Sequence, residues 1–511
     1  MRRITYRFLA ATSSLGTVVA TTVAAMIAAM IATMTALPAA AETRPHYGGT
    51  LRVMLQSAPS TLDLPENAPP ADYWDMARTL SLIGDTLVRV DAQDRPQPAL
   101  ALAWQSDAAA RHWQFTLRRG AKFHDGSAAS PAAAAQILGA LHPNWIVRAS
   151  TDSISIDSDA PLPALLAELA LPRNLVLKRN AEHVPIGTGP FLVAEWQPEK
   201  LLKLAANEDS WAGRPFVDAV EIEFGKSLRD QAIALELGKA DMIETAPQVT
   251  GGSPQRSASS LSLSLPVELL ALVFSANSKA QADAPHVREA LAFAIHRKPI
   301  QSVLLKGAGE PTASILPNWM TGYSTVFSTE PNPQRSRTLL ADSRQPVLNL
   351  SYDPRDPQAQ LIAERIALNA REVGITVQVS LSGAEDIRLM RVVLPSPDPT
   401  TSLIEAARQL GLSNSGLQQP AFTAPGANSL DDLYQAERSL LDEHAVIPLF
   451  HLPVESAASE RVRDWEPDRL GEWNGAAGAS LAGLWLADSR AYDSRSSTWR
   501  SFGPQPEAGS R

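Results

Sequence analysis

Several stretches of this sequence carry side chains that could do chemistry. Gly120-Ala121-Lys122-Phe123-His124-Asp125-Gly126 sets an imidazole beside a carboxylate in a loop, a pairing used by general bases and metal sites. Gly187-Thr188-Gly189-Pro190 and Gly307-Ala308-Gly309 are glycine-rich, as phosphate-cradling loops are, and Gly478-Ala479-Ser480-Leu481-Ala482 approaches the nucleophile elbow of a serine hydrolase. Each falls short on spacing. The serine stretch lacks the second glycine that the sharp turn needs, and the glycine pairs lack the downstream Gly or Lys-Ser/Thr that holds a phosphate. There is no His-Glu-x-x-His, and the nine histidines are scattered, His444 and His451 lying on either side of a helix-to-strand junction. Asp431-Asp432 and Asp442-Glu443 fall on one helical pattern, as a solvated face does. These residues predict no catalytic group, no metal ligand and no cofactor.

The elements around them alternate between strand and helix. Thr50 to Leu55, Ser153 to Asp157, Ala219 to Phe224, Leu270 to Ala276, Val347 to Tyr352 and Ile375 to Leu381 read as strands, being short, apolar or β-branched, and bounded by turn residues. Ser227 to Ala240, Val287 to Leu305 and Gln358 to Gly374 read as helices. In the last, Leu361, Ile362, Ile366 and Val373 fall near one face, Gly374 suits a C-terminal cap, and a strand follows at once. A helix handing directly to a strand is an α/β unit. Trp113 to Leu117 alternates like a strand and runs into the turn at Gly120 to Gly126.

Composition restricts the setting. Arg2, Arg3 and Arg7, an uncharged run from Phe8 to Leu37, and Ala39-Ala40-Ala41 before Glu42 predict a cleavable signal peptide over residues 1–41. The run is also long enough for an uncleaved anchor, but its Thr and Ser content and its small-residue exit favour cleavage. The chain has no cysteine, so an exported form must fold on apolar burial without disulfides and cannot be lipidated on an N-terminal cysteine. A soluble periplasmic protein is the expectation. A net charge of −9 argues against a general nucleic-acid binder, which needs a basic face to displace counterions. Thr245 to Ser260 is rich in Gly, Ser and Pro and reads as a connector, and residues 488–511 read as a disordered tail.

A set of stretches remains that has no catalytic logic but a distinctive order. Tyr47-Gly48-Gly49-Thr50-Leu51-Arg52 is followed by Leu87 to Trp104, Trp113 to Ser127, Pro185 to Pro198, Asn207 to Phe224, Leu235 to Ile243, Val287 to Ile300 and Leu440 to His451. In this order, from about Gly48 to Trp465, they resemble the family 5 extracellular solute-binding proteins, the peptide- and nickel-binding receptors of ATP-binding-cassette importers. The resemblance implies an α/β fold of two lobes with a hinge and an extra small domain. Lobe one would combine residues 43–88, 183–263 and 464–487, the extra domain 89–182, and lobe two 264–463. It also makes Trp113 to Ser127 a strand and tight turn, with Phe123 in the core and His124 not a ligand.

The implied function is non-catalytic: a periplasmic protein, monomeric, that delivers a peptide-like or other small polar solute to membrane permease subunits. A nickel-chelate or sugar-derivative receptor is the alternative, as is a ligand sensor or chaperone of the same fold without a transporter. Residues matching the family's ligand edge are Arg391, Val392 and Leu394, with Tyr73 and Trp74 facing them across the cleft, and Trp319 and Tyr323 are further aromatic candidates. One departure bears on the ligand. Peptide-binding relatives carry an aspartate, three residues before an acidic-Pro pair, that holds the ligand's ammonium group. Here Asp398-Pro399 is present but Pro395 occupies the earlier place. Either Asp398 takes over the contact or the ligand is not an ordinary free-amine peptide. The leader carries its own test: N-terminal sequencing of periplasmic extract should read Glu-Thr-Arg-Pro, whereas recovery only in membranes with residues 1–41 intact would overturn cleavage.

Overall fold

The computed structural model describes residues 45–64, 70–91, 95–245, 259–275, 285–341, 346–381, 385–412, 430–465, 470–471, 473 and 483–487. They belong to a body that begins at His46. The leader, most of the 245–260 connector, the serine of the elbow-like stretch and the 488–511 tail lie outside the described residues.

A mixed sheet of eleven strands is the backbone of this body. Its order is Phe191–Gln197, Leu201–Ala206, Ala219–Glu223, Thr50–Met54, Met242–Glu244, Val446–Ser459, Ser259–Phe274, Ile387–Val393, Val347–Tyr352 and Thr376–Val379, with Glu310–Pro311 added beside Val446–Ser459. Thr50–Met54 pairs in parallel on both sides, with Ala219–Glu223 and with Met242–Glu244. Parallel strands are covered on both faces, which is why Leu51 and Val53 are buried in one cluster with Leu80, Phe191, Val220 and Ile222. At the other end of the sheet, Val347–Tyr352 and Thr376–Val379 are parallel and joined through helix Ala359–Glu372. That helix turns Ile362, Ala363, Ile366 and Ala370 inward, and Gly374 with φ 98° releases the chain into the next strand. Leu361 is exposed instead, one residue and about 100° around the helix from Ile362.

The two long strands join the ends of the sheet. Ser259–Phe274 and Val446–Ser459 run antiparallel from the pair Ser259 and Ser459 to the pair Val273 and Val446. Near Ser259 they lie beside the lobe-one strands, where Met242 pairs with Ala458. Near Phe274 they lie beside Ile387–Val393 in lobe two. There, side-chain alternation sends Leu270 and Leu272 to one cluster and Leu269 and Ala271 to another, so both faces of the lobe-two sheet are covered. Between the two ends Pro266 faces Pro453, and the register shifts on either side of Pro266. Neither proline can donate to the ladder, so it is weakest where the chain passes from lobe to lobe.

A separate four-stranded sheet, ordered Ala101–Ser106, His112–Leu117, Ser153–Asp157, Ile146–Ala149, packs with helix Pro131–Leu141 around Phe115, Phe123, Leu138 and Ile154. The Gly120 to Gly126 turn belongs to it. Both glycines have positive φ, Ser127 donates its N–H to Asp125, and Phe123 is buried. The His124 ring lies 3.1 Å by Nε2 from the Gly189 carbonyl and accepts from the Gly187 N–H, while burial pushes its pKa down. The imidazole therefore ties one loop to another. The expected helix from Val287 to Leu305 is broken. A helix spans Pro285–Ala294, a short turn Arg297–Pro299 follows, and residues Ile300–Leu304 form a wide turn of the π type. Pro299 has no N–H to continue the earlier ladder, and the break places Arg297 where its guanidinium donates to the Pro448 carbonyl.

Gly187 is required by space rather than by φ. A Cβ there would lie 2.8 Å from the Gly84 Cα and closer still to the Ile83 carbonyl oxygen. Gly187→Ala should therefore destabilise by roughly 1–3 kcal/mol, read as a lower denaturation midpoint, while an unchanged midpoint would mean that the two loops can part.

Candidate ligand-binding cleft

The carboxyl ends of parallel strands from both lobes open onto one cavity of about 530 Å3. Crevices at such strand ends are where open α/β sheets bind ligands. Gln56 and Ser57 follow Thr50–Met54, and Glu244 ends Met242–Glu244. Asp72, Asp75 and Arg78 lie three residues apart on helix Pro70–Ser81, so they share a face. From lobe two, residues 353–358 follow Val347–Tyr352, Arg391 projects from Ile387–Val393, and the long strands supply Glu268 and Glu455.

Arginines in this cavity are set against pairs of carboxylates. Arg391 donates from Nε to Asp356 at 2.7 Å and from Nη1 to Glu268 at 2.6 Å, with Gln358 Oε1 3.3 Å from Nη2. Burial opposes its charge, but the two carboxylates outweigh burial and hold its pKa above the ordinary value. Arg355 reaches across the cleft to Asp72 at 2.7 Å and bonds Asp353 at 2.8 Å. Its hydrogen bonds to Asp353 and then Asp72 raise its pKa against the effect of burial. Arg78 bonds Asp75, lies 3.8 Å from Glu244, and stacks on Trp473 with 4.7 Å to the ring centroid. Burial and the nearby Asp75 push the Glu244 carboxyl upward, despite Arg78. Glu455 is also pushed up by burial. Four buried polar atoms of cavity residues have no hydrogen-bond partner among the described residues: Ser57 Oγ, Arg78 Nε, Gln358 Nε2 and Glu455 Oε2. An unmade buried hydrogen bond costs about 1–3 kcal/mol, so a partner that reached these atoms would recover that cost.

Of the residues singled out from sequence, Arg391 lines the cavity and the others are placed around it. Val392 and Leu394 are fully buried in the lobe-two core. Helix Pro70–Ser81 does lie against Ile387–Val393, and Trp74 packs with Val267, Val393 and Leu470 across the lobes. Tyr73 stands beside the Arg408 guanidinium, 5.7 Å from its ring centroid, and burial pushes its phenol up to about 12. Trp319 donates to the carbonyl of Pro266 at 3.1 Å, and Tyr323 donates to the buried Glu437 and meets Tyr434 edge to face. Asp398 is the N-cap of helix Pro399–Gln409, its carboxylate accepting from the Thr401 N–H at 2.7 Å. Apart from Arg391, none of these side chains lines the cavity.

Sequence reasoning missed Ser57, Arg78, Glu244, Glu268, Gln358 and Glu455. A signal existed for some of them. Glu268 and Glu455 interrupt the long apolar strand sequences Leu265 to Phe274 and Val446 to Ala458, and Arg391 interrupts Ile387 to Leu394. A charge in a buried strand needs a partner, so these three pointed to one another or to a ligand.

The Bacterial extracellular solute-binding proteins, family 5 Middle model matches residues 95–392. The nickel-binding periplasmic protein of Escherichia coli K12 is 26% identical over 351 residues, 60% of this chain and 66% of that protein. Probable di/tripeptide-binding protein 5 of Pseudomonas aeruginosa is 23% identical over 56% of this chain and 60% of its own. The matched segments thus span just under two thirds of these relatives or less. Among solved structures, the oligopeptide-binding protein AppA of Bacillus subtilis, in complex with a nonapeptide, superposes with a TM-score of 0.73 at 16% identity, covering 87% of this chain and all of AppA. The binding protein AgaA in complex with agropinic acid, from A. tumefaciens R10, gives 0.71 at 20% identity over 86% of this chain and 99% of its own. With the two-lobed fold shared along nearly the whole of those structures and the family model matched over more than half of its length, the chain belongs to the family 5 bacterial extracellular solute-binding proteins.

Proposed function

We propose that this protein is the exported receptor of an ATP-binding-cassette importer, which holds a peptide-like or other small polar solute between its lobes and hands it to the membrane permease. One observation carries the reading: the inter-lobe cavity of about 530 Å3, lined by charged side chains from both sides and by residues that hold four buried polar atoms without partners among the described residues. That volume lies within the range of small-molecule sites. No helix among the described residues is long and apolar enough to cross a membrane. The protein does no chemistry on its solute in this reading. Its work is conformational: a solute that contacts Arg391 and Glu268 on one side and Arg78, Ser57 and Glu455 on the other bonds both lobes only when they are together, and so shifts the population toward the closed form by its differential affinity.

Two measurements follow. A solute bound only by the native state adds RT ln(1 + [L]/Kd), about 2.7 kcal/mol at a hundredfold excess over Kd. Native mass spectrometry of protein from its host should find a small molecule retained, and adding that molecule to stripped protein should raise the melting temperature and leave the molecule intact. Its conversion to product would overturn the receptor reading. Asp398→Asn keeps a good N-cap, so affinity for the retained solute should stay within about threefold and stability within a few tenths of a kcal/mol. A loss of 30-fold or more would restore Asp398 to the ligand.

A further inference from the structure

Resting on the receptor reading, we propose that the cleft selects a cationic solute, one whose ammonium or guanidinium group seats against Glu455 while a neutral hydrogen-bonding group meets Arg78 and Gln358. The charge arrangement is the first ground. Arg355 and Arg391 each stand against two carboxylates, so each of these groups retains one negative charge after pairing, while Arg78 is balanced by Asp75 beside a Glu244 carboxyl that burial pushes up to about 7. Arg388 is matched by Glu385 alone. Glu455 makes no ion pair among the described residues and adds a further negative charge, and no lysine lines the cavity. An anionic solute would therefore enter against the field, whereas a cation offsets it.

The second ground is the set of atoms without partners. Glu455 Oε2 is an acceptor shielded from solvent, and an ionised carboxylate held there unpaired is costly unless a cation arrives. The adjacent long strand brings a further carboxylate near it, Glu268, whose charge adds to burial in raising the Glu455 carboxyl. The same burial raises the carboxyl pKa of Glu244 and of Glu455, as expected of groups whose charge is incompletely balanced. Arg78 Nε and Gln358 Nε2 are donors from opposite lobes, and both residues are more than nine-tenths buried. They suit a carbonyl or hydroxyl oxygen on the remainder of the solute. Ser57 Oγ, 2% exposed as a residue, can donate or accept beside them.

The test uses the exported chain stripped of bound solute by unfolding and refolding, titrated calorimetrically with size-matched probes. These are Ala-Lys-Ala, Ala-Gln-Ala and Ala-Glu-Ala, each N-acetylated and C-amidated so that the central side chain alone sets the charge, with agmatine and its neutral analogue N-butylacetamide as non-peptide probes. The expected result is binding of Ala-Lys-Ala or agmatine at least about 30-fold tighter than that of the matched neutral probe, and no detectable binding of Ala-Glu-Ala. Glu455→Gln should remove that preference. Equal or tighter binding of a neutral or acidic probe would overturn the cation assignment and leave the receptor reading standing. So would an undiminished preference in Glu455→Gln. Binding of none of the probes, in a protein whose circular dichroism shows it refolded, would overturn the cation assignment too, and the retained solute found by native mass spectrometry would then decide the receptor reading separately. Should Glu455→Gln not fold, Glu455→Asp keeps the charge on a shorter arm, and a retained preference at lower affinity is the outcome that supports the assignment, while a lost preference opposes it.

Discussion

The hydrogen-bonded ladder between Ser259–Phe274 and Val446–Ser459 is the constraint on which the rest of the molecule depends. Its two ends belong to different lobes, so the lobes are joined by continuous sheet rather than by flexible linkers. Backbone pairing keeps the strands together, but the opposed Pro266 and Pro453 remove both donors at the crossing, and the register slips there. Glu268 lies just beyond the prolines on one strand and Glu455 just beyond them on the other, so the floor of the cleft and the crossing between lobes are the same piece of sheet. Trp319, bonded to the Pro266 carbonyl, braces that crossing from lobe two.

A few polar contacts cross above this floor from one lobe to the other. Arg355 bonds Asp72, and its carbonyl accepts from the Gln56 side chain at 3.0 Å. On the far side of helix Pro70–Ser81, Arg173 of the small domain bonds Glu405 of lobe two, a carboxylate that is almost wholly buried. Arg355 and Asp72 are each about a third exposed, so solvent screens that pair and it contributes little on its own. The Arg173 pair is better shielded, but the desolvation of both ions offsets much of their attraction. Such contacts join the two sides without making their union very deep in free energy. The proposed receptor role needs that balance, because a form closed too firmly without solute would not open to take one, and the binding energy of the solute would then do no switching.

Much of the fold was legible in the sequence, and for one reason: local periodicity reports which faces are buried. The helix Ala359–Glu372, its glycine exit and the strands around it could be read from residue spacing alone, while the turn at Gly120 to Gly126 with Phe123 turned inward followed from the family resemblance. The ordered stretches from Gly48 to Trp465 then identified the family. Where local rules failed, a tertiary partner had won. The helix expected through residues 287–305 breaks because Pro299 denies it a donor and because Arg297 finds the Pro448 carbonyl from another strand. Asp398 precedes a proline at the start of a helix, and its local N-cap bond claims its carboxylate.

The sequence by itself thus determined the elements, their order and the family, since each follows from residues close together along the chain. Only the tertiary structure decided the candidate cleft. Glu268, Asp356, Arg391 and Glu455 come from four distant segments, and Arg78 and Ser57 from two more. They meet because the two long strands set Ile387–Val393 beside one of them and Met242–Glu244 beside the other. Strand adjacency in a sheet is chosen by backbone hydrogen bonding and by burial of whole faces, and neither leaves a mark in the spacing between those residues. The same pairing decides which arginine neutralises which carboxylate, and therefore which charge is left for a solute.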